Sequence, residues 1–151
     1  MPIQCEVATQ DKLLYRGEAD IVVAPGSEGE MGILPHHAPL LTTLGFGLLR
    51  VRHAGGEEIF AIAGGFMEVQ PDSVIVLADV GENVAEIDMA RAETARARAE
   101  ELLKAGPPPD TDAYLALEAA LRRSKLRLEA VRRYRGAGGR PGPKSNIGEE
   151  G

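Results

Sequence analysis

An all-β body followed by a two-helix hairpin is the fold that the sequence predicts, and three observations predict it. Short runs rich in Val, Ile, Leu and Phe recur through roughly the first 80 residues, with turn residues between them. Near Glu86 the chain changes to a stretch dense in Ala, Glu, Arg and Leu that holds no Gly or Pro as far as Lys104. Gly106-Pro107-Pro108-Pro109 then interrupts that stretch before a second periodic run begins.

The strands come first. Ile3, Cys5 and Val7 alternate with Gln4, Glu6 and Ala8, the period of a strand with one buried face. Ala19-Asp20-Ile21-Val22-Val23 is expected to follow a turn around Gly17. Leu48–Arg52 and Glu58–Ala63 flank Ala54-Gly55-Gly56, a hairpin pattern. Phe66–Gln70 and Ser73–Ala78 flank Pro71-Asp72, a second turn pattern. Short strands at this spacing, with no helical run among them, predict a β-sandwich or barrel. The unbroken apolar run Val74–Ala78 implies cover on both sides, one side by the other sheet and the second by a partner.

The helices follow. Residues 86–104 have strong helix-forming composition, with Asp88 placed to complement the free N–H groups at the start. Proline lacks a backbone donor and clashes with the preceding turn, so 107–109 must end this helix. A second helix begins after Asp110, Thr111 or Asp112, each able to cap it. Its Tyr114, Leu117, Leu121, Ser124, Leu128 and Val131 share one side. The first helix offers either Ala90, Thr94, Ala97 and Glu101 or Ala92, Ala95, Ala99 and Leu102 as a line of small side chains against it. The short connection makes the pair antiparallel. Ile87, Met89, Leu102 and Leu103 are the only bulky apolar residues in 86–104, so the hairpin is a marginal unit able to detach. The expected organisation is therefore 1–84 as the sandwich, 85–135 as the hairpin and 136–151 as a flexible Gly/Pro-rich tail.

Charge is unevenly spread. The net charge is −6 overall, yet residues 113–135 carry seven Lys/Arg against two Asp/Glu. Residues 1–112 carry 8 Lys/Arg against 19 Asp/Glu. A basic segment on an acidic body suits an acidic protein surface, since the body would repel nucleic acid. A free-standing nucleic-acid-binding module using the basic second helix is the alternative. The single Cys5 excludes an internal disulfide and reads as a small buried hydrophobe. No signal peptide and no apolar run approaching 18 residues are found, so a cytoplasmic protein is expected, with any membrane association through partners.

Catalytic chemistry is not visible. No elbow motif surrounds Ser27, Ser73, Ser124 or Ser145. His36-His37 has no convincing third metal ligand and is read as fixing a loop beside Pro35 and Pro39. Gly26–Gly32 is glycine-rich but lacks the lysine of a phosphate loop and is read as a tight loop. Gly64-Gly65 is read as a bend or bulge. Arg91 and Arg98 share a helical face near Asp88, and Arg123 and Arg127 share one on the second helix. In an antiparallel hairpin these two pairs could converge on a polyphosphate, though charged helix faces are ordinarily just solvated.

The stretch Gly26-Ser27-Glu28-Gly29-Glu30-Met31-Gly32-Ile33-Leu34-Pro35-His36-His37-Ala38-Pro39-Leu40-Leu41-Thr42 closely resembles the signature of the ATP synthase epsilon subunit family. Ile62–Val69 and Val76-Leu77-Ala78-Asp79 match as well, and the likeness runs from Gln4 to Arg135. The resemblance implies a flattened ten-stranded β-sandwich followed by a helix–loop–helix, without an active site. It implies a peripheral rotor subunit at the cytoplasmic face of the cell membrane, coupling c-ring rotation to the alpha/beta catalytic head. Glu30, Met31, Gly32, His36 and His37 would meet the gamma subunit and the c-ring. The helices would move between a folded and an extended position. When extended, Arg122, Arg123, Lys125, Arg127, Arg132 and Arg133 would meet acidic segments of the beta subunits and restrain ATP hydrolysis. Some bacterial members bind ATP on the folded hairpin through Ile-Asp-x-x-Arg-Ala. Here Ile87-Asp88-Met89-Ala90-Arg91-Ala92 matches, with Glu82, Arg98, Arg123 and Arg127 in corresponding places. The resemblance thus implies ATP as a regulatory ligand, no required cofactor and no metal.

Overall fold

Two strands set the architecture by being too long for one layer. In the computed structural model, which describes residues 2–106 and 110–134, β5 (Leu40–His53) and β6 (Gly56–Gln70) pair along almost their whole length. The remaining strands are β1 (Ile3–Ala8), β2 (Leu13–Ala19), β3 (Ile21–Gly26), β4 (Gly29–Ile33), β7 (Ser73–Ala78) and β8 (Gly81–Asn83). The sheet order is β2-β1-β7-β6-β5-β3-β4, with β8 also on β6. The second half of β6 pairs with β7 and its first half with β8, so β6 belongs to both layers. β5 pairs with β6 on one side from Leu40 to His53 and with β3 on the other at Leu44 and Arg50–Arg52. Among the described residues there are eight strands; the expected ten would follow if the long β5 and β6 were each divided in two.

The crossing needs glycine. Gly64 and Gly65 adopt φ of 82° and 129°, a region that side chains disfavour. Phe60 and Ile62 are buried before this pair, whereas Met67 and Val69 are buried after it, so the in/out alternation changes phase there. The core lies between the layers. Ile3, Cys5 and Val7 meet Val22, Leu49, Val51, Phe60, Ile62, Val74 and Val76, all nearly inaccessible. The expected turn at Gly17 is not formed, because Gly17 pairs with Cys5 inside β2 and the chain turns at Asp20 instead. Leu14 and Tyr15 are adjacent and both buried, so this strand shows no clean period-two alternation in the sequence.

Beyond β8, a 3-10 turn at Val84–Glu86 leads into the hairpin. Helix α1 (Met89–Lys104) starts three residues later than Glu86, because the Asp88 carboxylate caps it by accepting from the Arg91 N–H at 3.0 Å. Helix α2 (Thr111–Tyr134) runs back antiparallel, with Lys125 Nζ 3.9 Å from Glu100 Oε1 across the pair. Of the two possible lines on α1, Ala92 and Ala99 are buried but Ala95 and Leu102 of the same line are exposed, as are Ala90, Thr94, Ala97 and Glu101. Of the seam expected on α2, Ser124, Leu128 and Val131 are buried, whereas Tyr114, Leu117 and Leu121 are half-buried. Ser124 satisfies its hydroxyl by donating to the Ala120 carbonyl at 2.9 Å. Residues 107–109 and the tail expected at 136–151 lie outside the described residues.

Candidate functional site

The hairpin is folded down on the sandwich, and its seat is small. Leu48 of β5 and Ile59 and Ala61 of β6 point outward by strand alternation. With Val84 and Ile87 they form a second apolar cluster against Leu126, Ala130, Val131 and Tyr134 of α2. Two polar contacts flank it. The Arg127 Nε lies 2.7 Å from Glu82 Oε1, and the Arg122 guanidinium sits over the Phe46 ring at 4.4 Å. Both charged side chains of the ion pair are about a third exposed, so water weakens the pair to about 0–1 kcal/mol. An exposed cation–ring contact adds about 0.5–1 kcal/mol. The seat therefore holds the hairpin through one small apolar cluster, separate from the main core, and two modest polar contacts.

Most of the basic residues of α2 are engaged within the chain. Arg122, Lys125 and Arg127 have the partners named above; Arg133 lies 5.3 Å from the Tyr134 ring centre, and Arg132 is exposed. Arg123 lines a cavity of about 10 Å³ with Glu82, Arg127, Ala61 and Val80, enough for one water at most. Of the residues matching the nucleotide motif, Glu82, Arg123 and Arg127 come together. Ile87 is buried in the apolar seat, and the Asp88 carboxylate is occupied as the helix cap. Arg91 and Arg98 stand on exposed positions of α1.

The expected loop from Glu30 to His37 is in fact two elements. Glu30, Met31 and Gly32 belong to β4, where Met31 packs against the core and Glu30 lies 3.6 Å from Arg50. Only residues 34–39 form a loop, at an end of the sandwich, where the His36 N–H donates to the Pro71 carbonyl at 2.8 Å. His37 Nδ1 donates to its neighbour's carbonyl at Ala38, 2.7 Å away. Both histidines therefore shape the loop. Among the described residues, no three of His, Cys, Asp and Glu gather to hold a metal ion.

Sequence reasoning missed two features. Phe46, the seat for Arg122, was not singled out, because nothing local marks a ring that a distant helix will cover. The second is an apolar face on the outer side of the other layer. There Phe66 of β6 stands opposite Leu77 of β7 in the pairing, with Ile75 and Leu41 beside them. Phe66 and Leu77 are 55% and 56% exposed and Leu41 is 72% exposed, so the run Val74–Ala78 is covered on one side only.

The sheet body carries a basic hairpin on one face and exposed apolar side chains on the other. Residues 2–84 match the family described as ATP synthase, Delta/Epsilon chain, beta-sandwich domain, and residues 85–132 match its long alpha-helix domain. The chain is 44% identical over 133 residues to an ATP synthase epsilon chain of Dehalococcoides mccartyi, covering 88% of this chain and 94% of that protein. It is likewise 44% identical over 132 residues to the ATP synthase epsilon chain of Herpetosiphon aurantiacus, covering 87% and 96%. A chain in the Euglena gracilis mitochondrial ATP synthase structure (OSCP, F1 and c-ring, rotational state 1) superposes with a TM-score of 0.71. It is 26% identical, with 86% of this chain and 81% of that one covered. The chain belongs to the ATP synthase delta/epsilon family and has no catalytic activity of its own. Among the described residues, no helix is long and apolar enough to cross a membrane.

Proposed function

We propose that the chain is a rotor subunit of the central stalk of a proton-translocating ATP synthase, peripheral at the cytoplasmic face of the cell membrane, coupling c-ring rotation to the alpha/beta head. Residues 1–84 are the coupling body and 85–135 a separable regulatory hairpin. The observation that carries this reading is the light seating of α2. Arg122 and Arg127 are held by one ring and one carboxylate, which an acidic partner surface can outcompete. Arg122, Arg123, Lys125, Arg127, Arg132 and Arg133 would then meet the beta subunits and restrain ATP hydrolysis. The apolar face of Leu41, Phe66, Ile75 and Leu77 supports docking of the gamma subunit, and the 34–39 loop with His36 and His37 supports contact with the c-ring. Deleting residues 86–151 from the assembled enzyme should leave it assembled and raise ATP hydrolysis; unchanged hydrolysis would count against the inhibitory role.

The cluster of Glu82, Arg123 and Arg127 also favours a regulatory role for ATP on the folded hairpin. A polyphosphate would take the place of the Glu82 carboxylate on Arg127, and Arg91 and Arg98 would close on it from α1. Calorimetric titration with millimolar ATP should give heat that Arg127→Ala abolishes, and no heat in the unaltered chain would sink this role. The nucleic-acid alternative predicts affinity that falls steeply with salt, which filter binding reads directly. The internal engagement of the same arginines argues against it.

A further inference from the structure

A carboxylate lies in the core, next to the hinge of the hairpin. Glu58 occupies an inward position of β6, in phase with Phe60 and Ile62, and is only 3% exposed. Its Oε2 accepts from Asn83 Nδ2 at 3.2 Å. The other end of the same amide, Asn83 Oδ1, accepts from the Ala85 N–H at 2.9 Å and so caps the 3-10 turn from which the hairpin departs. One side chain thus ties a buried acid to the hinge, and the next buried residues along the chain, Val84 and Ile87, belong to the seat of α2.

The acid is poorly compensated. Its Oε1 faces His53 Nε2 of β5 at 3.9 Å, too far for a hydrogen bond, and neither atom has another partner among the described residues. The Gly55 N–H donates to His53 Nδ1 at 3.0 Å, which puts the proton of the neutral ring on Nε2. Tyr15 of β2 stacks on His53, but its hydroxyl is spent on the Glu18 carbonyl at 2.7 Å. On the hinge itself Glu86 brings a second negative charge, paired only with Lys12 at 3.8 Å across exposed side chains. Among the described residues no Lys or Arg pairs with Glu58, and His53 is the only basic group facing it.

We propose that Glu58 and Asn83 form a proton-dependent latch at the root of the hairpin: with Glu58 neutral the hinge stays seated, and ionisation of Glu58 favours release. This regulates the hairpin assigned above and rests on that assignment, but it is measurable on the chain alone. An ionised carboxylate with one hydrogen bond is costly in the core, and lifting the hinge admits water to it. Burial pushes the Glu58 carboxyl above its ordinary range, more than Asn83 and His53 pull it back, with Glu86 adding to the rise. A carboxyl raised in the seated state favours that state at low pH. The preference is lost as pH climbs through the raised value.

Nuclear magnetic resonance on the full chain, from about pH 4 to about pH 8, tests this through three readouts. These are amide protection at Ala85, methyl contacts between Ile87 and Val131, and amide protection at Val74 and Val76 as an internal reference for the sandwich. With rising pH, protection at Ala85 should fall as Glu58 loses its proton and the seated state loses its preference. The Ile87–Val131 contacts should weaken in step while Val74 and Val76 hold. Glu58→Gln should remove the pH dependence, and His53→Gln should keep it. A pH-independent hinge in the unaltered chain, a dependence surviving in Glu58→Gln or lost in His53→Gln, or parallel loss at Val74 and Val76 would each overturn the latch. The hydrolysis assay on the hairpin deletion is independent of these readouts, so the two ideas can fail separately.

Discussion

At Gly65 an added Cβ would stand 2.2 Å from the Leu77 carbonyl oxygen and 2.8 Å from the Ala78 Cα, both backbone atoms that cannot swing away. The residue also sits at φ 129°, so Gly65→Ala meets strain and collision together. It should lower stability by at least about 3 kcal/mol, read as a shift in denaturation midpoint. Cys5 gives the opposite kind of prediction. Burial, with a smaller contribution from Glu6, pushes its thiol up to about 12, so almost no thiolate forms near neutral pH. A thiol-specific reagent should therefore modify the native chain at least about 100-fold more slowly than the unfolded chain. Comparable rates would show that β1 is not the inner strand described.

Helix α2 illustrates how an element can be stable within its hairpin yet loosely held to its neighbour. Its inner seam, Ser124, Leu128 and Val131, is buried against α1 and the sandwich. Toward the loop, it meets the body through the contact of Arg122 with Phe46. Phe46→Ala removes this contact, and Arg127→Ala removes the pair with Glu82. Phe46→Ala should cost about 0.5–1 kcal/mol and Arg127→Ala up to about 1 kcal/mol, so the two together should increase the released fraction severalfold. Loss of Ile87–Val131 methyl contacts, with sandwich signals unmoved, is the measurement. An unchanged seat in the double variant would mean that the apolar cluster alone holds the hairpin.

At the scale of the whole molecule the two faces of the sandwich are unequal. One outer face is closed by α2, and the other presents Leu41, Phe66, Ile75 and Leu77 to solvent. Glu68 stands between Leu41 and Ile75 in the pairing and Glu6 stands beyond Ile75, so carboxylates alternate with apolar side chains in that row, next to the Phe66–Leu77 pair. Phe66→Ser with Leu77→Ser leaves the core untouched, because both side chains already face outward. The double variant should fold with an unchanged melting profile but co-purify with gamma at least about tenfold less well, since each large side chain contributes about 1.5–3 kcal/mol when fully buried. Normal recovery would place the docking surface elsewhere.

The sequence by itself determined the strands that alternate cleanly, the two hairpin turns at Ala54–Gly56 and Pro71-Asp72, the helical run, and the seam of α2. Each is set by neighbours a few residues apart, and local periodicity records such neighbours directly. Glu58 was also legible in principle, because it keeps phase with Phe60 and Ile62, although a charge at that phase invites the opposite reading. Only the tertiary structure decided that Gly17 continues a strand, that Ala92 and Ala99 are the buried members of the two lines on α1, and that Phe46 receives Arg122. It alone showed that Asn83 joins a buried acid to the hinge. These pairings span tens of residues, and no local pattern specifies which distant surface will close over a given side chain.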